Sequence, residues 1–148
     1  MTSDPVDQSI RELLVEQRLL EGTARIYQSR LEMVNASLAD IYVANQTLEG
    51  IKGKPKGCET LAPIGAGSFL KTQLADTEKI VMWIGAGVAV EKSVDDSIFE
   101  LKSRQAELER IGNSLREQLT RVVTKLEEDR SKISELVKKK GGETLQVI

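Results

Sequence analysis

Two long stretches of this chain repeat apolar residues at alternating spacings of three and four, and this repeat limits the fold more than any other feature. It gathers the apolar side chains into one narrow seam along a helix, which is typical of a coiled coil. The first seam comprises Ile10, Leu13, Gln17, Leu20, Ala24, Tyr27, Leu31, Val34, Leu38, Ile41, Asn45 and Leu48. The second comprises Ile98, Leu101, Gln105, Leu108, Gly112, Leu115, Leu119, Val122, Leu126, Asp129, Ile133 and Leu136. The sequence therefore predicts two long helices.

Capping residues predict where each helix begins and ends. Asp4 is the expected N-cap of the first helix, with Pro5 as its first residue and Gly50 beyond its end. Ser93 is the expected cap of the second helix, and the glycine pair that starts at Gly141 is expected to end it. The predicted segments are a helix at 5–49, a linker at 50–58, β structure at 59–92, a helix at 93–140 and a tail at 141–148.

The segment between the helices carries a short internal repeat, Ile-Gly-Ala-Gly, at 64–67 and again at 84–87. Gly-Ala-Gly can turn a chain through positive φ, so each copy predicts a β-hairpin. The strands are expected near 60–64, 68–74, 79–84 and 87–92. A dinucleotide-binding loop would need a third glycine where Leu70 and Val90 stand, and a helix after it, so hairpin turns are the preferred interpretation.

Two equal helices on either side of a compact insert are expected to fold back on each other as an antiparallel coiled coil. Pairing Leu48 with Ile98 gives a register in which the numbers of facing residues sum to about 146. The register residues are Gln17 and Asp129, which would share a polar layer, and Asn45 and Gln105, about one turn apart; the same register puts Val34 over Gly112.

Four short strands leave unpaired edges, so the hairpins are expected to need other chains to complete a sheet or barrel. The fold class predicted is α+β: a two-helix coiled coil with two inserted hairpins that form part of an oligomeric β-barrel. The apolar residues expected at this oligomerisation surface are Leu61, Ile64, Phe69, Leu74, Ile80, Trp83, Ile84, Val88 and Val90.

The composition excludes several classes of function. The chain has no histidine and one cysteine, Cys58, so it cannot supply an ordinary structural zinc site or a histidine-based catalytic triad. We expect no catalytic, cofactor-binding or metal-binding residues and no enzyme activity. A net charge of -2 argues against nucleic acid and acidic membranes as partners. One cysteine and no apolar leader favour a cytoplasmic protein.

A further set of apolar residues lies off the seam, where an isolated coiled coil would face water. We interpret them as a binding surface for other proteins at the tip of the coiled coil, away from the hairpins; packing of the helices against another chain explains them equally well. With Val6, the seam residue Ile10 and three tail residues included, the tip residues are Val6, Ile10, Leu14, Val15, Leu19, Ile26, Met33, Val123, Val137, Leu145, Val147 and Ile148.

With helix, hairpins and helix in this order, the chain resembles the alpha-type subunits of archaeal prefoldin over its whole length. The resemblance rests on two segments, 63–69 (PIGAGSF) and 83–93 (WIGAGVAVEKS), and the second is the more specific. It implies a hexamer of two alpha and four beta subunits with joined β-barrels. It also implies ATP-independent holding of unfolded client proteins and their delivery to a group II chaperonin. The alternative is a coiled-coil scaffold or tether with specific partners.

Overall fold

The predicted order of two long helices around two hairpins is confirmed by the computed structural model, which describes residues 4–146 and, within α2, side chains as far as Gly142. The elements are α1 (Pro5–Ile51), β1 (Glu59–Gly65), β2 (Ser68–Gln73), β3 (Lys79–Gly85), β4 (Val88–Ser93) and α2 (Val94–Gln146). They fall into two compact units. The first combines α1 up to Asn35 with α2 from Arg110, and the second comprises Ala36–Glu109.

In the first unit, the two helices bury the predicted seam between them. Every seam position there is buried or half-buried, and Ala24, Leu115 and Leu126 are among the most buried. A Cβ built on Gly112 would lie 3.4 Å from Cγ1 of Val34, so the contact between these two positions that the register predicts is confirmed. The seam is therefore the core of this unit.

In the second unit, the core forms where the second hairpin meets the helices. Its buried residues are Leu48, Met82, Val94, Ile98 and Leu101, with Ile41, Ala44, Ile51 and Ile80 packed around them. Side chains alternate between the two faces of a strand, so β3 directs Ile80 and Met82 toward the helices and Val81 and Trp83 away from them. One face of this hairpin is thus already covered by its own chain.

Each hairpin is a separate two-stranded antiparallel sheet. β1 pairs with β2 from Glu59 opposite Gln73 to Gly65 opposite Ser68, and β3 pairs with β4 from Lys79 opposite Ser93 to Gly85 opposite Val88. In each hairpin the register shifts by one residue just before the turn.

Both Gly-Ala-Gly turns adopt the positive φ expected of them. In the first turn, Gly65, Ala66 and Gly67 have φ of 99°, 49° and 72°. In the second, the same three residue types at 85–87 have φ of 111°, 50° and 75°. Even the central alanines are left-handed, a conformation that a non-glycine residue adopts at a cost and that suits a tight hairpin turn. The predicted hairpin turns are confirmed.

Both predicted N-caps are confirmed by their hydrogen bonds. Asp4 Oδ1 accepts a hydrogen bond from the backbone N–H of Val6 at 3.1 Å, and Ser93 Oγ accepts one from the N–H of Asp96, also at 3.1 Å. These bonds satisfy N–H groups that have no partner within the first turn of a helix.

Both predicted C-terminal ends are wrong. α1 continues through Gly50 to Ile51, and the first left-handed residue after it is Gly53, with φ of 76°. α2 runs through Gly141 and Gly142 to Gln146, so the predicted tail is helical up to that residue. Neither of these two glycines has a positive φ, and a glycine that keeps helical geometry weakens a helix by only about 1 kcal/mol.

The connection between the hairpins is fixed by Asp76. Its Oδ1 accepts hydrogen bonds from the backbone N–H groups of Glu78 at 2.8 Å and Lys79 at 3.2 Å. The bond from Glu78 and then the bond from Lys79 lower the pKa of Asp76, because both stabilise the ionised carboxylate. This turn sets the point at which β3 begins.

Replacing Gly85 by alanine should weaken the second hairpin, because φ of 111° is strained for any residue with a Cβ. We expect a loss of about 1–2 kcal/mol, measured as faster hydrogen exchange of the β3 and β4 amides. Gly50→Ala is the matched control: Gly50 is helical and has open space around it, so that variant should gain up to about 1 kcal/mol. Equal exchange in the two variants would contradict the strain argument.

Stability that depends on Asp76 should be lost in acid. Because its pKa is lowered on folding, the carboxylate stabilises the folded chain above its ordinary pKa, and this contribution disappears as the pH falls through the lowered value. Asp76→Ala should therefore melt below the parent chain at neutral pH, with the gap closing in acid. Thermal melts over a pH series would check this, and a gap that stays constant in acid would refute it.

Candidate functional surfaces

The turns and outer faces of the two hairpins carry exposed apolar side chains. Among the predicted oligomerisation residues, those open to water are between 49% and 66% exposed: Leu61, Ile64, Phe69, Trp83, Ile84 and Val88. Apolar side chains gathered in this way on a small sheet are typical of a surface that another protein covers. We call them the hairpin surface.

Three predicted oligomerisation residues are less accessible. Leu74, Ile80 and Val90 are half-buried, and Ile80 packs against the core of its own unit. Two exposed residues were missed: Leu70, at 53%, and Val81, at 65%. Val81 could have been found from the alternation of β3, because it follows Ile80 and must point the other way.

The first unit carries exposed apolar side chains outside its seam, as the sequence predicts. They are between 40% and 69% exposed: Leu14, Val15, Leu19, Ile26, Met33, Val123 and Val137. Val6 and Ile10 are half-buried. For Ile10 the reason is that it belongs to the seam itself. The side chain of Leu145 and the whole of Val147 and Ile148 lie outside the described part of the chain.

Three further exposed apolar residues in the second unit lie outside the predicted sets, as does Ile111 in the first unit, at 38%. Tyr42 and Val43 on α1 are 60% and 62% exposed, and Phe99 on α2 is 75% exposed. All three fall outside the heptad seam of their helix, so applying the same test for off-seam apolar residues to the whole of both helices would have found them.

A charged residue is fully buried in the seam of the first unit. Asp129 has no exposed surface, and its Oδ1 accepts a hydrogen bond from Lys125 Nζ at 3.0 Å. Among the described residues, its Oδ2 has no hydrogen-bond partner. Lys125 also lies 3.5 Å from Glu16 on the facing helix. The hydrogen bond to Asp129 is the main cause that raises the pKa of Lys125. That Gln17 shares this layer with Asp129 stays a prediction.

The other predicted pair of polar seam residues, Asn45 and Gln105, lies in the second unit. The side-chain oxygen of Asn45 is buried and finds no hydrogen-bond partner in the part of the chain that the structure describes, while Gln105 donates to Glu109 on its own helix at 2.9 Å. Asn45 therefore accepts no hydrogen bond from Gln105. A buried polar group of this kind destabilises the coiled coil and favours one register over its alternatives.

Residues 4–146 include no helix with the length and apolar character required to cross a membrane. The same residues contain no cluster of three or more acidic or cysteine side chains that could hold a metal ion. Cys58 is half-buried and forms no disulfide.

Paired heptad helices around two hairpins with exposed apolar faces define a coiled-coil protein of the class that assembles with other chains. The family model described as "Prefoldin subunit" matches residues 20–139. The chain therefore belongs to the prefoldin family.

Curated relatives named as alpha subunits of prefoldin include two from archaea. The chain is 39% identical over 95 residues to prefoldin subunit alpha 1 of Thermococcus kodakarensis, a match that covers 64% of this chain and 65% of the relative. It is 34% identical over 124 residues to prefoldin subunit alpha of Methanococcoides burtonii, covering 84% of this chain and 90% of the relative.

Solved structures support the fold. The cryo-EM structure of filamentous PFD from Methanocaldococcus jannaschii matches with a TM-score of 0.59 at 16% identity, over 82% of this chain and 94% of that one. The crystal structure of the prefoldin beta subunit from Thermococcus strain KS-1 matches with a TM-score of 0.56 at 17% identity, over 85% and 90%.

Replacing Asp129 by leucine should stabilise the coiled coil. The substitution removes a buried carboxylate with one unpaired oxygen and adds apolar volume to the seam, and Lys125 keeps its contact with Glu16. We expect a gain of about 1–3 kcal/mol in the free energy of unfolding, measured by chemical denaturation. Asp129→Asn is the control, because it keeps the shape without adding apolar surface. A loss of stability in the leucine variant would show that the carboxylate contributes more than its burial costs.

Proposed function

We propose that this subunit holds unfolded client proteins without ATP and delivers them to a group II chaperonin. The observation that carries the proposal is the set of exposed apolar side chains outside the seam of the first unit. A helix pair with a complete core has no internal need for these residues on its surface. Their exposure is explained if they bind apolar segments of other proteins.

Weak binding at several sites suits this task. A few exposed aliphatic side chains on one subunit bind an unfolded segment loosely, and several subunits in one assembly raise the overall avidity without any tight single site. Met33 adds an unbranched, polarisable side chain that can pack against varied partners. No step of this cycle requires nucleotide or proton transfer, so we propose that the subunit has no enzyme activity.

The hairpin surface is the proposed site of assembly. We propose that two copies of this subunit join four beta-type subunits in the cytoplasm, with their hairpins closed into joined β-barrels. The support is that both hairpins are isolated two-stranded sheets with apolar residues exposed, and such sheets are marginal alone in water. Phe69 and Trp83 offer the largest apolar area to a neighbour.

Charge placed on the outer face of α1 should impair holding but not assembly. A variant with Leu19→Glu, Ile26→Glu and Met33→Glu, assembled with its beta-type partner, should delay aggregation of a chemically unfolded test protein much less than the parent does. The three side chains are 54–69% exposed, so the fold should tolerate the change. Light scattering during dilution from denaturant measures the delay.

The matched control places glutamate at exposed polar positions of α2, with Ser114→Glu, Thr124→Glu and Ser131→Glu, and should hold clients as the parent does. Both variants should keep the parent's assembled mass by light scattering. If the parent assembly fails to delay aggregation at stoichiometric amounts, the holdase proposal is wrong and a scaffold or tether takes its place. A loss of assembly in the α1 variant would instead place the assembly surface on that helix.

A further inference from the structure

The outer face of α1 in the first unit carries a second heptad-spaced stripe in addition to the seam. Its members alternate in spacing by four and three: Val15, Leu19, Gly22, Ile26, Ser29 and Met33. The four large members are 54–69% exposed. Spacing of this kind is what a second helix needs in order to pack along the first. We call these residues the outer stripe.

The facing helix has no such stripe. The corresponding outer positions of α2 are all exposed and polar: Ser114, Glu117, Arg121, Thr124, Glu128 and Ser131. The outer faces of the two helices are geometrically equivalent, and the coiled coil would form equally well if both were polar throughout. The apolar residues on α1 are therefore a property of its sequence and not a consequence of the fold.

Arginines border the outer stripe. Arg11, Arg18 and Arg25 follow one edge at intervals of seven residues, and Arg30 lies on the other edge. All four are exposed. Among the described residues, the side chains of Arg11, Arg18 and Arg30 form no ion pair or hydrogen bond. Arg25 forms a long ion pair with Glu21, at 4.0 Å.

Two of the four carboxylates near the same stripe are in ion pairs: Glu16 lies 3.5 Å from Lys125, and Glu21 lies 4.0 Å from Arg25. Glu12 accepts a hydrogen bond only from the neutral amide of Gln8, at 3.1 Å, so it keeps its charge, as does Glu32 at the end next to Met33. Among the described residues, three arginines on the edges of the stripe, Arg11, Arg18 and Arg30, are therefore left without an ion pair, against two such carboxylates. The stripe offers a small excess of unpaired positive charge beside apolar surface, although the chain as a whole is acidic.

We propose that the outer stripe docks amphipathic helical segments that carry carboxylates beside their apolar residues. This inference rests on the proposed function, since it names the class of client segment that the first unit prefers. A shallow groove lined by Arg11, Val15 and Leu19, together with Glu12 and Glu16, is the start of the docking surface. An apolar residue of the incoming helix packs between Val15 and Leu19, and its carboxylates reach Arg11 and Arg18.

Two synthetic peptides of three heptads test the proposal. They share the same leucines at heptad spacing and differ only in glutamate or lysine at the flanking positions. Binding to the assembled complex is measured by fluorescence anisotropy, at low salt and at about 1 M salt. We expect the glutamate peptide to bind on the order of tenfold tighter at low salt, because three exposed ion pairs add up to an effect of about this size. High salt should remove most of the difference.

The variant with Arg11→Gln, Arg18→Gln and Arg25→Gln should lose this preference, since glutamine keeps much of the side-chain length without the charge. Arg121→Gln, Lys132→Gln and Lys138→Gln on the exposed face of α2 form the matched control and should keep it. Equal affinity for the two peptides, or an unchanged preference in the α1 variant, overturns the proposal. A mass of the peptide-free complex that is higher than expected, and that Leu19→Glu lowers, also overturns the proposal. A second copy of the chain would then occupy the stripe.

The chaperone role is tested by a separate measurement, the aggregation of the unfolded test protein. If the complex delays aggregation but shows no preference between peptides, the charge selectivity is wrong and the proposed function stands. If it neither delays aggregation nor binds either peptide, the proposed function itself is wrong.

Discussion

The heptad seam is the interaction on which every other feature of this chain depends. It buries aliphatic side chains along a narrow line of both helices, and each fully buried leucine contributes about 1.5–3 kcal/mol. A narrow seam needs no large aromatic rings, which explains how a chain with only 3% aromatic residues forms a stable core. It also leaves most of each helix surface free, so that functional side chains can be placed there without disturbing the core.

Polar and small residues within the seam explain why the helices pair in one register. Gly112 fits under Val34 because it has no Cβ, and sliding a helix by one heptad would separate this small residue from its large neighbour. Asp129 is buried with a single lysine partner, and in a shifted register its carboxylate would meet apolar side chains. The chain gives up some stability at these positions and gains a unique alignment in return.

The sequence predicted most of this fold because its main signals are local. Heptad spacing, the caps at Asp4 and Ser93, and the two Gly-Ala-Gly turns each depend on residues close together in the chain. The C-terminal ends of the helices were predicted wrongly because a glycine allows a helix to end but does not require it. Gly141 stays helical, in a turn where Lys140 pairs with Asp7 on the facing helix. The partial burial of Ile80 could not be predicted either, because it depends on the packing of a hairpin against helices distant in sequence.

The two units divide their apolar surface differently, and this division bears on function. In the second unit the hairpins use one face for their own core and leave residues such as Trp83 exposed on the other, which suits a permanent partner of complementary shape. In the first unit, four of the exposed apolar residues belong to the outer stripe bordered by arginines, and this stripe is too narrow for a large permanent interface. A narrow stripe binds weakly and releases readily, and charge along its edge can select among transient partners. If the hairpin surface serves assembly and the first unit binds clients, as proposed, the two roles depend on different residues and on surfaces of different kinds, and each can be changed independently of the other.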